Sequence, residues 1–143
     1  MGAGPAAIEV VAGALYDGRG RVLITQRPAG KALAGRWEFP GGKLHAGEDA
    51  RDGLVRELRE ELGVEVHAAE RLMRYTVEYP ERTVWLDMWI VTSWSGTVVG
   101  LEGQAWAWVE PAALSRHDIL EADQPIVAAL AVRTAPAVTG TQK

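Results

Sequence analysis

Cysteine is absent from the 143 residues, so disulfides, thiolate nucleophiles and cysteine-bound zinc are all excluded. Basic charge is also scarce. Fifteen Lys and Arg face 19 Asp and Glu, for a formal net charge of −4. That balance gives little of the basic surface needed to displace counterions from a nucleic-acid polymer. A nucleotide is still an acceptable ligand, because a few placed cations and a metal can meet its phosphates. No apolar run is long enough to cross a membrane, and Met1 to Ala7 is small and uncharged. Neither a transmembrane segment nor a signal peptide is expected, and the cytoplasm is the expected compartment. The three histidines, His45, His67 and His117, are scattered without metal-ligand spacing.

What is present suits one domain with one substantial core. Hydrophobic residues make up 48% of the chain and charged residues 24%. Ile8 to Leu15 is an apolar run that reads as a buried strand, ended by the turn Asp17-Gly18-Arg19-Gly20. Arg21 to Gln26 reads as its hairpin partner. Pro28 to Arg36 reads as a loop, and Trp37 to Phe39 as a short strand stopped by Pro40-Gly41-Gly42. Asp49 to Leu62 is helical, with acidic residues at its start and Gly63 suited to the left-handed position after its end. Gly53 inside that helix is an anomaly, costing roughly 1 kcal/mol relative to Ala.

Two longer strands follow, Glu65 to Tyr79 and Arg82 to Trp94, the second apolar on both faces. Trp106 to Val109 reads as a short strand, Pro111 to Leu114 as a helical turn, and Gln124 to Val132 as a second helix. Residues 1–133 are expected to form the single domain, and 134–143 a disordered tail. The order strands, helix, strands, helix favours an α+β fold with a mixed sheet over a doubly wound parallel one. Six tryptophans, mostly in these strands, are assigned to core packing.

The chemistry concentrates in Gly42 to Val64, GKLHAGEDARDGLVRELREELGV. At helical spacing, Glu57, Glu60 and Glu61 project from one side, and Leu54, Leu58 and Leu62 form a neighbouring apolar stripe. The stripe can pack on a sheet while the carboxylates line a cleft. Three close carboxylates repel unless a cation sits among them, and hard divalent cations take oxygen ligands. Arg56 and Arg59 offer partial compensation, and Gly41-Gly42 lets the backbone approach an ion or phosphate. Taken alone, RELREEL reads first as a solvated amphipathic face with Glu and Arg paired at short spacing.

The wider pattern separates these readings. Gly42, Glu48, Arg56, Glu57, Leu58, Glu60, Glu61, Gly63 and Val64 meet every spacing of the signature Gly, five residues, Glu, seven residues, Arg-Glu-apolar-any-Glu-Glu-any-Gly-apolar. In this the chain resembles the Nudix hydrolases. WEFPGGK at Trp37 to Lys43, with VLITQRP, YPER, EGQAW and ADQPI elsewhere, is similar to the MutT-like 8-oxo-dGTP diphosphatases and CTP pyrophosphohydrolases. The likeness covers about Ile8 to Leu130.

The resemblance implies a mixed β-sheet sandwiched between helices, with the signature as loop-helix-loop. It implies a Mg²⁺-dependent conversion of a nucleoside triphosphate to monophosphate and pyrophosphate, by attack at the β-phosphorus. Mn²⁺ would be a possible substitute. It further implies that Glu57, Glu60, Glu61, Glu102 and the Gly41 carbonyl oxygen hold the metal. Glu102 reads equally as a plain loop acid beside Gly103. Glu48 is expected to fix the signature loop and Arg56 to orient a signature carboxylate. Glu57 is the first choice for general base and Glu102 the second.

Arg27, Glu38, Phe39, Pro40, Gly41, Tyr79, Arg82 and Asp123 are the implied substrate-binding residues. MutT-type proteins carry asparagine where this chain has Asp123, so the preferred base, oxidised guanine or cytosine, stays open. Clearance of damaged or modified nucleotides from the precursor pool, in support of DNA repair, is the implied role. The partner is a small-molecule nucleotide, without nucleic-acid polymer or membrane, acting on a monomer or homodimer. Two alternatives are a Nudix hydrolase for ADP-ribose or a dinucleoside polyphosphate, and a non-catalytic Nudix-fold binding module.

Overall fold

The computed structural model describes residues 6–142. Among the described residues, seven strands form two sheets. The strands are β1 (Ala6–Leu15), β2 (Val22–Gln26), β3 (Trp37–Glu38), β4 (Gly41–Lys43), β5 (Glu65–Tyr79), β6 (Arg82–Ser95) and β7 (Trp106–Val109). The larger sheet has the order β4-β1-β6-β5 and the smaller the order β3-β2-β7. β1 runs parallel to β6, pairing Val11 with Asp87, while β4 and β5 pair antiparallel to their neighbours. The larger sheet is therefore mixed, as the element order implied. Helices α1 (Ala50–Leu62) and α2 (Gln124–Val132) complete the α+β arrangement, with 3₁₀ turns at Pro111–Arg116 and Glu121–Asp123.

The alternation along β1 serves two apolar cores. Val11 and Leu15 join Leu54, Leu58 and Leu62 of α1, together with Trp94 and Val98. Ala12, Ala14 and Tyr16 point the other way, to Ile24, Phe39, Met88, Ile90, Leu114, Ile126 and Leu130. A strand covered on both faces reads as a continuous apolar run rather than an alternating one, which is the pattern of residues 8–15. Gly53 is explained by packing, since a Cβ there would overlap the Leu44 side chain.

Three expectations change. β1 and β2 do not form a hairpin, because they lie in different sheets and share only the isolated bridge Tyr16 to Val22. The Pro40-Gly41-Gly42 stop is followed at once by β4, whose glycines pair with Val11 and Ala12 of β1. The segment 134–142, expected to be disordered, lies along the end of β6. Trp94 N–H donates to the Thr139 carbonyl at 3.0 Å, Thr139 N–H to the Thr92 carbonyl at 3.1 Å, and Gly96 N–H to the Thr141 carbonyl at 2.8 Å. Its polar residues supply the backbone partners that the strand end lacks. Lys143 and residues 1–5 fall outside the described residues. Among the described residues no helix is long and apolar enough to cross a membrane.

Candidate active site

α1 presents its carboxylates unequally. Asp49 caps the helix by accepting from the N–H groups of Arg51 at 3.1 Å and Asp52 at 3.3 Å, an interaction worth about 1 kcal/mol. Gly63 closes the other end at φ 72°. With Leu54, Leu58 and Leu62 fully buried, the three glutamates fall at the margin of the packed face. Glu61 turns inward at 9% exposure and accepts the Gly41 N–H at 3.0 Å. Glu57 lies over Gly42, where a Cβ would sit 2.5 Å from its carboxylate. Glycine at that position is what allows the helix and β4 to approach. Glu60 turns outward, its side chain 55% exposed.

Arg56 ties this group together. Its guanidinium donates to Glu48 at 2.7 and 2.8 Å, to Glu57 at 2.9 Å, to Glu60 at 3.0 Å and to the Lys43 carbonyl at 3.1 Å. The Arg56 contact, with the His45 N–H, holds the Glu48 carboxyl down to about 2. Glu48 also accepts from the His45 N–H at 3.0 Å, which fixes the loop before α1.

Glu61 opens onto a cavity of about 470 Å³ between the two sheets. One end is acidic, with Glu61, Glu38 and Glu102 in its wall. Burial, then the charges of Glu102, Glu38 and Glu57, push the Glu61 carboxyl up to about 8 against the pull of the Gly41 N–H. Burial likewise raises Glu38, although Arg27 donates to both its oxygens, at 3.1 and 3.3 Å. Arg27 Nε donates in addition to the Ala32 carbonyl at 2.7 Å, so this guanidinium is held at the wall from two sides.

The same wall carries Phe39, Tyr79, Arg82 and Asp123. Asp123 is 7% exposed and accepts the Phe39 N–H at 3.2 Å. Its burial, opposed by that N–H, pushes the carboxyl up to about 7. Tyr75 O–H donates to the neighbouring Ala122 carbonyl at 2.6 Å and steadies the Asp123 turn. The Arg82 guanidinium lies 5.9 Å from the Tyr79 ring centroid.

Of the residues singled out in the sequence, Arg27, Glu38, Phe39, Gly41, Glu61, Tyr79, Arg82, Glu102 and Asp123 meet in this cavity. Glu57, Glu60, Arg56 and Pro40 are not in its wall. Pro40 is buried, with its carbonyl accepting the Gly13 N–H at 3.0 Å. Arg56 holds Glu57 and Glu60 at the margin of the cavity, with the Glu57 carboxylate over Gly42, which lines it. Sequence reasoning missed Gln104, Lys31 and the apolar wall of Val84 and Leu86. β6 is apolar on both faces, so alternation alone could not tell which side faces a cavity.

Among the described residues no three carboxylate or imidazole groups stand close enough to form a ready-made metal cage. The donor set nevertheless fits a hard divalent cation. It is made of oxygens, and burial, with the charges of Glu102, Glu38 and Glu57, raises the Glu61 carboxyl, a strain that a positive charge beside it would relieve.

A family profile described as the NUDIX domain matches residues 7–130. The chain is 41% identical to a CTP pyrophosphohydrolase of Escherichia coli over 129 residues, which span 90% of this chain and 95% of that protein. It is 32% identical to an 8-oxo-dGTP diphosphatase of Escherichia coli over 123 residues, 86% of this chain and 95% of the relative. Among solved structures, one from work on MutT of Aliivibrio salmonicida and Vibrio cholerae superposes with a TM-score of 0.80 at 34% identity. It covers 90% of this chain and 100% of the other. By its signature, its fold and these relatives, the chain belongs to the Nudix hydrolase family.

Proposed function

We propose that this protein hydrolyses a nucleoside triphosphate to the monophosphate and pyrophosphate, with Mg²⁺ as cofactor and Mn²⁺ as a substitute. Nudix hydrolases generally need a divalent metal, and the relatives' names concern nucleoside triphosphates. The observation that carries the reading is one cavity whose wall combines the acidic Glu38, Glu61 and Glu102 with Arg27, Arg82, Phe39, Tyr79 and the buried Asp123. Its size matches a small-molecule site, with carboxylates to hold a metal-bound polyphosphate and Phe39, Tyr79 and Asp123 to meet a base.

Glu57, Glu60, Glu61, Glu102 and the Gly41 carbonyl would hold the metal. When bound, a divalent cation neutralises the polyphosphate and makes a coordinated water more acidic. Glu57 takes the proton of the attacking water, and Glu102 is the second candidate for that role. The water oxygen bonds to the β-phosphorus, and the bond from that phosphorus to the oxygen bridging to the α-phosphate breaks. The bridging oxygen leaves with the monophosphate. Arg56 keeps Glu57 oriented through the 2.9 Å bond from Nη1. Arg27 and Arg82 offer positive charge to the nucleotide, and Glu38 restrains Arg27.

Phe39 and Tyr79 wall the base. Asp123, with one oxygen engaged by the Phe39 N–H, offers the other to N–H groups of the base. Both oxidised guanine and cytosine carry such donors. The reading treats residues 1–133 as one domain acting on free nucleotides in the cytoplasm, to clear modified ones. A steady-state comparison of 8-oxo-dGTP, dGTP, dCTP, CTP, 5-methyl-dCTP and ADP-ribose, with product identification, tests it. A triphosphate is expected to lead, giving monophosphate and pyrophosphate. An ADP-ribose rate above every triphosphate rate would remove the assignment.

A further inference from the structure

Glu102 sits on a loop between β6 and β7, far in sequence from α1, yet it shares the cavity wall with Glu61, whose carboxyl its charge helps to raise. The contacts that deliver it are specific. The last turn of a helix leaves carbonyl oxygens without intrahelical partners. Here the loop supplies donors to two of them: Val99 N–H to the Leu62 carbonyl at 3.0 Å and Leu101 N–H to the Glu61 carbonyl at 3.0 Å. Gln104 adds a side-chain bridge. Its Nε2 donates to that same Glu61 carbonyl at 3.3 Å, and its Oε1 accepts the Glu102 N–H at 2.9 Å. The residue is buried, at 7% exposure, and borders the same cavity. The side-chain amide offers a donor and an acceptor at once, whereas methionine replaces neither bond and an ionised glutamate only accepts.

We infer that Gln104 is a positioning residue, whose amide locks the Glu102 backbone to the end of α1 and so holds the Glu102 carboxylate beside Glu61. This rests on the reading that Glu102 serves the acidic end of the site. Gln104 itself touches no reacting atom in this scheme. It acts through Glu102, so its loss removes something only when Glu102 is there to be placed.

A double-mutant cycle isolates that dependence. Gln104→Met, Glu102→Gln and the pair are compared by Mn²⁺ titration of the nucleotide-free protein, by kcat and KM for 8-oxo-dGTP and dCTP, and by thermal unfolding. Gln104→Met is expected to lower kcat about tenfold with KM within about threefold of the parent, and to weaken Mn²⁺ binding several-fold. In the Glu102→Gln background it is expected to change kcat and Mn²⁺ binding by less than twofold. Equal factors in both backgrounds would mean an independent structural effect and would overturn the inference, as would a Gln104→Met protein with parental kcat and Mn²⁺ affinity. If Glu102→Gln itself is indistinguishable from the parent, the role given to Glu102 fails, and the inference with it. Should Gln104→Met not fold, Gln104→Leu, which has neither an acceptor for the Glu102 N–H nor a donor for the Glu61 carbonyl, enters the same cycle under the same criteria.

Discussion

Arg56 donates to both carboxylate oxygens of Glu48, from Nε to Oε2 at 2.7 Å and from Nη2 to Oε1 at 2.8 Å. The planar fork of the guanidinium is matched to this two-point contact, and its remaining nitrogen reaches Glu57 and Glu60. Lysine carries the charge without the fork. Arg56→Lys is therefore expected to reduce kcat by about tenfold or more, because Glu57 is no longer oriented. It is expected to lower the melting temperature by about 5 °C as the loop before α1 loosens. Kinetics and thermal unfolding of the purified variant check both. Parental turnover would show that Glu57 is held by something other than Arg56.

The adjacent glycines of β4 separate stability from activity. A Cβ on Gly41 would overlap the Val11 carbonyl oxygen in the backbone of β1, whereas one on Gly42 would meet the end of the Glu57 side chain at 2.5 Å. Backbone cannot move aside as cheaply as a carboxylate. Gly41→Ala is expected to destabilise by about 1–3 kcal/mol or more. Gly42→Ala is expected to leave the melting temperature within about 3 °C, but to displace Glu57 and reduce turnover at least about tenfold. Denaturation curves and turnover numbers for the two variants read this contrast. Equal destabilisation would place Gly42 against something less yielding than a side chain.

Asp123 gives a pH dependence with a defined sign. Burial lifts its carboxyl from the ordinary 3.8 to about 7 in the folded protein. Between those values the folded state keeps a proton that the unfolded chain releases. The stability linked to Asp123 is therefore fully present below about 3.8 and is lost as pH rises through about 7. Asp123→Asn retains an oxygen for the Phe39 N–H and cannot ionise. In cation-free buffer the melting temperature of the variant, relative to the parent, is expected to climb between pH 5 and pH 8. Parallel profiles across that range would mean that Asp123 does not titrate there.

The end of the chain carries a test of its own. Thr139 and Thr141 accept from Trp94 and Gly96, and the Gln142 side chain donates to the Trp94 carbonyl at 2.6 Å. Removing residues 134–143 leaves these groups, at and just past the end of β6, without their partners beside the buried Trp94 ring. The truncated protein is expected to melt several degrees lower while keeping its kcat, since this segment lies outside the cavity wall. An unchanged melting temperature would show that the contacts add nothing to stability.

These particulars show what the sequence could reveal. Helix α1, its caps and its leucine stripe were legible because spacing and end residues determine them locally. Arg27, Glu38, Phe39, Tyr79, Arg82 and Asp123 were legible through resemblance, and they do share one cavity. The outward turn of Glu60 was not, because it depends on where Arg56 finds its strongest partners, which requires the loop around Glu48 to be folded. The separation of β1 from β2 was equally hidden. A turn motif fixes the reversal of the chain, and the sheet that each strand joins is decided by distant partners such as Asp87 and Val109. Gln104 was hidden for the same reason, since its two bonds connect positions 43 and two residues away.

The account is tested most directly by Glu57→Gln assayed on 8-oxo-dGTP and dCTP, with and without Mg²⁺, with product identification alongside thermal unfolding. The parent is expected to release monophosphate and pyrophosphate only when the cation is present. The variant is expected to keep its fold and lose about a hundredfold or more in kcat. A folded variant that hydrolyses at the parental rate, or a parent whose rate ignores the cation, would contradict it.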